Sequence, residues 1–122
     1  MSLMEENLNV EVEIHDPVTA VVTIGGELDA DTATLLHHHL ANQFLHGRRN
    51  LVLDLSALEF MDSSGLNVLI KATRETRSTG GDLHLAAPTP AVAKLFDLTG
   101  LSLTTSVHRD VGAALAAVEP AG

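Results

Sequence analysis

The sequence predicts an α/β domain built on a mixed sheet, and three observations carry that prediction. Two alternating strand patterns open the chain, joined by a short Asp16-Pro17 turn. The apolar run Leu51 to Leu55 has the composition of a strand buried on both faces, as in parallel sheets. Helical apolar stripes then alternate with short strands to the end of the chain. The expected architecture is one domain over residues 1–122, with flexible ends at 1–5 and 119–122. It has an antiparallel N-terminal hairpin, a sheet of four to five strands and about four helices.

Leu8, Val10, Val12 and Ile14 alternate with Asn9, Glu11 and Glu13, which marks a strand with one wet face. Val18, Ala20, Val22 and Ile24 form the second strand, which Gly25-Gly26 is expected to end. Asp31 is the expected N-cap of a helix whose inner stripe is Ala33, Leu36, Leu40 and Phe44, with Gly47 as its stop. After Leu51 to Leu55, a loop through Ala57 to Met61 leads to the cap residues Asp62 and Ser63. The second helix runs from about Ser64 to Ser78, with Leu66, Leu69, Ile70 and Thr73 inward, and Gly80-Gly81 closes it. Leu83 to Ala86 is a further strand. Thr89-Pro90 is a cap followed by a proline in the first turn of a third helix that ends near Gly100. Leu101 to Thr105 reads as an edge strand, and Asp110 to Val118 as a terminal helix.

Composition narrows the function classes. The net charge is −9, from 16 acidic residues against seven Lys and Arg. Phosphate backbones and anionic membrane surfaces attract basic proteins, so nucleic acid is not expected, and with no apolar run long enough to span a bilayer neither is direct membrane insertion. Three phenylalanines are the only aromatic residues, too few for base stacking. There is no cysteine, hence no disulfide framework or thiolate chemistry. With no signal-peptide pattern at the N-terminus, the expected location is cytoplasmic. No cofactor is called for, and a protein partner is the class most easily accommodated.

The informative stretch is Phe60-Met61-Asp62-Ser63-Ser64-Gly65-Leu66, at a strand-to-helix junction. Open α/β sheets place their sites in such loops. Capping alone would account for Asp62 and one serine; the second serine and the glycine are surplus to it. A hydroxyl in the first turn lies near unpaired backbone N–H groups and the positive end of the helix dipole. A phosphate on Ser64 is therefore well placed. Gly65, having no side chain, would let a partner approach closely.

With Gly26-Glu27-Leu28-Asp29 upstream and Pro88 to Gly100 downstream, this segment resembles the STAS family, in particular its stand-alone bacterial anti-sigma factor antagonists. The resemblance implies that Ser64 is phosphorylated by an anti-sigma factor that is itself a serine kinase. The unphosphorylated antagonist would bind that kinase and free the sigma factor. Phosphorylation would release it, and a metal-dependent serine phosphatase would reset it. Asp29 and Asp62 match acidic positions flanking the site and would shape the docking surface with Ser63 and Gly65. Asn67, Lys71 and Arg74 would extend that surface along the helix. Asp54 has two readings: it holds the phosphorylated loop by accepting backbone hydrogen bonds, or it marks a partly exposed strand end. Weak nucleotide binding, reported for some relatives, finds no Walker-type loop here. The alternative role within the family is a stand-alone subunit of a lipid-transport or stress-signalling assembly.

Rival chemistries fit less well. A Gly-x-Ser-x-Gly elbow needs glycine where Met61 or Asp62 stands, and no triad can be assigned, so no enzymatic activity is expected. A phosphoacceptor domain using Asp54 would need a late lysine, and residues 97–122 contain none. His37-His38-His39 points in successive directions around a helix and does not converge on a metal. His15, His46, His84 and His108 form no recognisable cluster in the sequence.

Overall fold

The computed structural model describes residues 7–118, so the flexible ends expected at 1–5 and 119–122 lie outside the described residues. β1 (Leu8–Asp16) and β2 (Thr19–Leu28) form the antiparallel hairpin. α1 (Ala33–Leu45), β3 (Asn50–Met61), α2 (Ser63–Ser78) and β4 (Leu83–Ala86) follow as alternating helices and strands. α3 (Pro90–Thr99), the single turn α4 (Leu101–Thr104), β5 (Ser106–His108) and α5 (Val111–Ala117) complete the chain. The five strands lie in the order β1-β2-β3-β4-β5, with β2, β3, β4 and β5 mutually parallel.

The alternation of side chains along β3 builds two cores. Leu51, Leu53 and Leu55 point to the face where Leu36, Leu40, Leu66, Leu69, Val92 and Phe96 of α1, α2 and α3 gather. Val52 points the other way and packs with Val21, Ala86 and Ala114 beneath α5. Burying each such leucine contributes roughly 1.5–3 kcal/mol, so the run must be apolar on both faces. Among the described residues, no helix is long and apolar enough to cross a membrane.

Three boundaries differ from the sequence expectation, each for a physical reason. β2 does not stop at Gly25-Gly26 but runs through them to Leu28. The glycines are needed because neighbouring segments come close: a Cβ at Gly25 would lie 3.1 Å from the Ala57 Cβ, and Gly26, at φ +97°, would set its Cβ against the Asn7 carbonyl oxygen. β3 continues through Ala57 to Met61, where a loop was expected. Two register shifts against β2, between Thr23 and Gly25 and between Gly26 and Glu27, put buried residues at Leu55, Leu58 and Met61. That spacing of three hides the strand from a period-two reading.

The third difference is at Leu101 to Thr105, expected as an edge strand. It is the helical turn α4, and the strand is β5 just after it. Leu101 is buried but Leu103 is 88% exposed, so the apparent alternation is one turn with a single inward residue. Asp110 caps α5 by accepting from the Ala113 N–H at 2.8 Å.

Candidate functional site

The site lies where β2 and β3 end and α1 and α2 begin. Asp62 joins these pieces. Its backbone N–H donates to the Leu28 carbonyl at 3.1 Å, tying the end of β3 to the end of β2. Its carbonyl accepts from the Leu66 N–H at 3.0 Å, the first bond of α2. Its carboxylate accepts from the Ser64 N–H at 2.9 Å, the N-cap bond expected from the sequence. Ser63 is exposed and Ser64 half-buried in the first turn.

The facing loop is held by Asp29 and Thr32. The Asp29 carboxylate accepts from the N–H groups of Asp31 at 3.0 Å and Thr32 at 3.2 Å. The buried Thr32 hydroxyl donates to the Glu27 carbonyl at 2.8 Å and accepts from the Asp29 N–H at 3.0 Å. Thr32, not Asp31, stands at the N-cap position of α1, and its side chain makes no cap bond because it faces back into the loop. Asp31 is exposed. The role of Thr32 escapes the sequence because its partner, the Glu27 carbonyl, lies five residues back in a bulged strand.

Ser64, Asn67 and Lys71 sit three and seven residues along one face of α2. With Ala30, Ala33, Thr34 and His37 from the α1 side they line a recess of about 390 Å³. Asn67, Lys71 and Arg74 are all exposed, and Arg74 lies further along the seam between α1 and α2. Neither Lys71 nor Arg74 belongs to the ion pairs found among the described residues, Arg77–Asp82 and Arg109–Asp110. Ser64 therefore has an uncommitted cation in its own recess and a carboxylate on its own N–H.

Gly65 is buried, and the space left by its missing side chain is taken within the chain. A Cβ there would stand 2.5 Å from Leu28 Cγ, 2.7 Å from Leu28 Cδ2 and 3.0 Å from Met61 Cγ. The glycine lets α2 start tight against the end of β2, which sets the height of Ser64 above the sheet.

Asp54 is half-buried, and its carboxylate accepts from the Ser56 N–H at 3.0 Å. That bond supports the first register shift of β3; its partner lies in the strand, not in the Asp62–Gly65 turn. His84 and His108, which the sequence gives no reason to group, meet across β4 and β5 with Nδ1 and Nε2 3.0 Å apart. Burial pushes His84 down from its ordinary pKa, the His108 ring adds to this, and Asp82 opposes it. Among the described residues, no group of three or more His, Asp or Glu could hold a metal ion.

The chain is similar to known proteins in sequence and in fold. The family model described as STAS domain matches residues 9–114. The chain is 34% identical over 97 residues to an anti-sigma F factor antagonist from Paenibacillus polymyxa, covering 78% of this chain and 81% of that one. It is 30% identical over 95 residues to an anti-sigma-B factor antagonist from Staphylococcus epidermidis, covering 78% and 87%. The crystal structure of an anti-sigma factor antagonist from Mycobacterium paratuberculosis superposes with a TM-score of 0.80 at 33% identity, covering 91% of this chain and 93% of that one. With the family model matching most of the chain and relatives at 30% identity or more along most of their length, the chain belongs to the STAS domain family.

Proposed function

We propose that this chain is an anti-sigma factor antagonist whose partner affinity is set by phosphorylation of Ser64. The observation that carries the reading is the Asp62-capped turn, which holds a half-buried serine hydroxyl at a helix N-terminus beside exposed Asn67 and Lys71. The names of the curated relatives support the antagonist role. The unphosphorylated chain binds a serine-kinase anti-sigma factor in the cytoplasm and frees the sigma factor. The kinase phosphorylates Ser64 and the complex dissociates; a serine phosphatase restores the binding form. The protein itself catalyses nothing.

The physical basis is charge at a packed surface. Phosphate adds about −1.5 to −2 charges. The Ser64 N–H is already occupied by the Asp62 carboxylate, so the phosphate adds anion to anion. The helix N-terminus offsets roughly 0.3–1 kcal/mol of that within the chain. A partner packed over Ser63 and Ser64 must desolvate the remainder, at a cost of about 1–3 kcal/mol. That lowers affinity roughly 10- to 100-fold. Asp29 and Asp62 shape the surface, Gly65 fixes its height, Asn67, Lys71 and Arg74 extend it, and Asp54 supports the strand beneath.

The test is a binding series with the cognate kinase. Ser64→Ala should bind as wild type and resist release by ATP. Ser64→Asp, carrying part of the phosphate charge, should bind about tenfold more weakly. Equal affinities for wild type, Ser64→Ala and Ser64→Asp would sink the charge-switch reading.

A further inference from the structure

A second concavity adjoins the Ser64 recess. An apolar trough of about 670 Å³ runs along the seam between α1 and α2. Leu40, Ala41, Phe44 and Leu45 line it from α1, and Val68 and Ala72 from α2. Leu45 is 84% exposed, so the fold leaves this apolar surface uncovered. Small-molecule sites have this character: roughly 300–1,000 Å³, mostly apolar, with a few polar groups that fix orientation.

The polar groups here favour an anion. Lys71 and Arg74 line the trough, and neither is among the ion pairs of the described residues. Glu75 and the His37 ring also border it, so two cations face one carboxylate. On a chain of net charge −9 with only seven Lys and Arg, that local positive balance runs against the average surface.

We propose that the trough binds a single-chain anionic amphiphile, of which a long-chain carboxylate is the simplest member. Its tail lies against Phe44, Leu45, Val68 and Ala72, and its head group meets Lys71 and Arg74. The trough shares His37, Val68 and Lys71 with the Ser64 recess, so a bound head group stands beside the serine. The binding itself does not depend on the phosphorylation proposed above.

The test titrates the full chain calorimetrically with decanoate, dodecanoate and tetradecanoate, each below its micelle concentration, and with decanol as the neutral control. One-to-one binding should tighten roughly fourfold per added methylene. Lys71→Gln and Arg74→Gln should each weaken decanoate binding about two- to fivefold and leave decanol unchanged. Ala41→Trp, at a half-buried lining position, should fill the trough and abolish both. Absence of saturable binding, affinity independent of chain length, or indifference to all three substitutions would overturn the proposal. So would a dimer in sedimentation that persists in saturating dodecanoate, because a second copy would then be the occupant.

Discussion

Gly65→Ala isolates the reason the Ser64 turn has its geometry. The added Cβ would lie 2.5 Å from Leu28 Cγ and 2.7 Å from Leu28 Cδ2, with Met61 Cγ at 3.0 Å. Leu28 is fully buried at the end of β2, and the nearest atom is its branch point, not a free end. Relief requires α2 to lift or Leu28 to leave its rotamer, an overpacking cost of about 1–3 kcal/mol. Alanine recovers about 0.8–1 kcal/mol of helix propensity. The net expectation is a loss of roughly 0–2 kcal/mol. Gly112→Ala in α5 is the control. Its Cβ would meet only Asp110 Oδ1, at an ordinary 3.5 Å, so it should gain roughly 0.5 kcal/mol. With a urea m-value of about 1.5 kcal/mol/M, the Gly65→Ala midpoint should lie roughly 0.3–1.7 M below that of Gly112→Ala. Equal stabilisation by the two alanines would refute the packing argument. It would also remove the stated reason for the height of Ser64.

Asp62→Ala removes the cap of α2 and should cost about 1 kcal/mol by urea denaturation, with Asp62→Asn closer to wild type. Thr32→Val keeps the shape but leaves the Glu27 carbonyl and the Asp29 N–H without their buried partner; a loss of about 1–3 kcal/mol is expected. Because the folded state holds His84 below its ordinary pKa of 6.5, the unfolded chain binds more protons once the pH falls under 6.5. The His84 contribution to stability is therefore complete above 6.5 and declines as the pH drops toward its folded pKa. Urea midpoints from pH 8 to 5 should show that decline, and His84→Gln should flatten it.

Much of this was legible in the sequence because local signals and tertiary demands agree. Leu51 to Leu55 sits between two cores, so it must be apolar on both faces, and the parallel strand follows. Asp62 caps α2 as expected because its bond to the Ser64 N–H needs only local geometry. What escaped depends on distant partners. The length of β3 is set by register against β2, and its two shifts break the alternation on which strand prediction rests. Gly65 reads from sequence as an opening toward a partner, but only the end of β2 shows that Leu28 fills the space. His84 and His108 lie 24 residues apart and meet only because β5 pairs with β4.

Control of partner binding by phosphate on Ser64 can be measured directly. The purified chain should be incubated with ATP and each anti-sigma kinase of its source organism, with phosphate mapped by mass spectrometry and complex followed by size exclusion. Phosphate on Ser64 from one kinase is expected, with loss of that kinase's complex in step with modification. Phosphate on Ser63 instead, or a complex that survives full modification of Ser64, would contradict it.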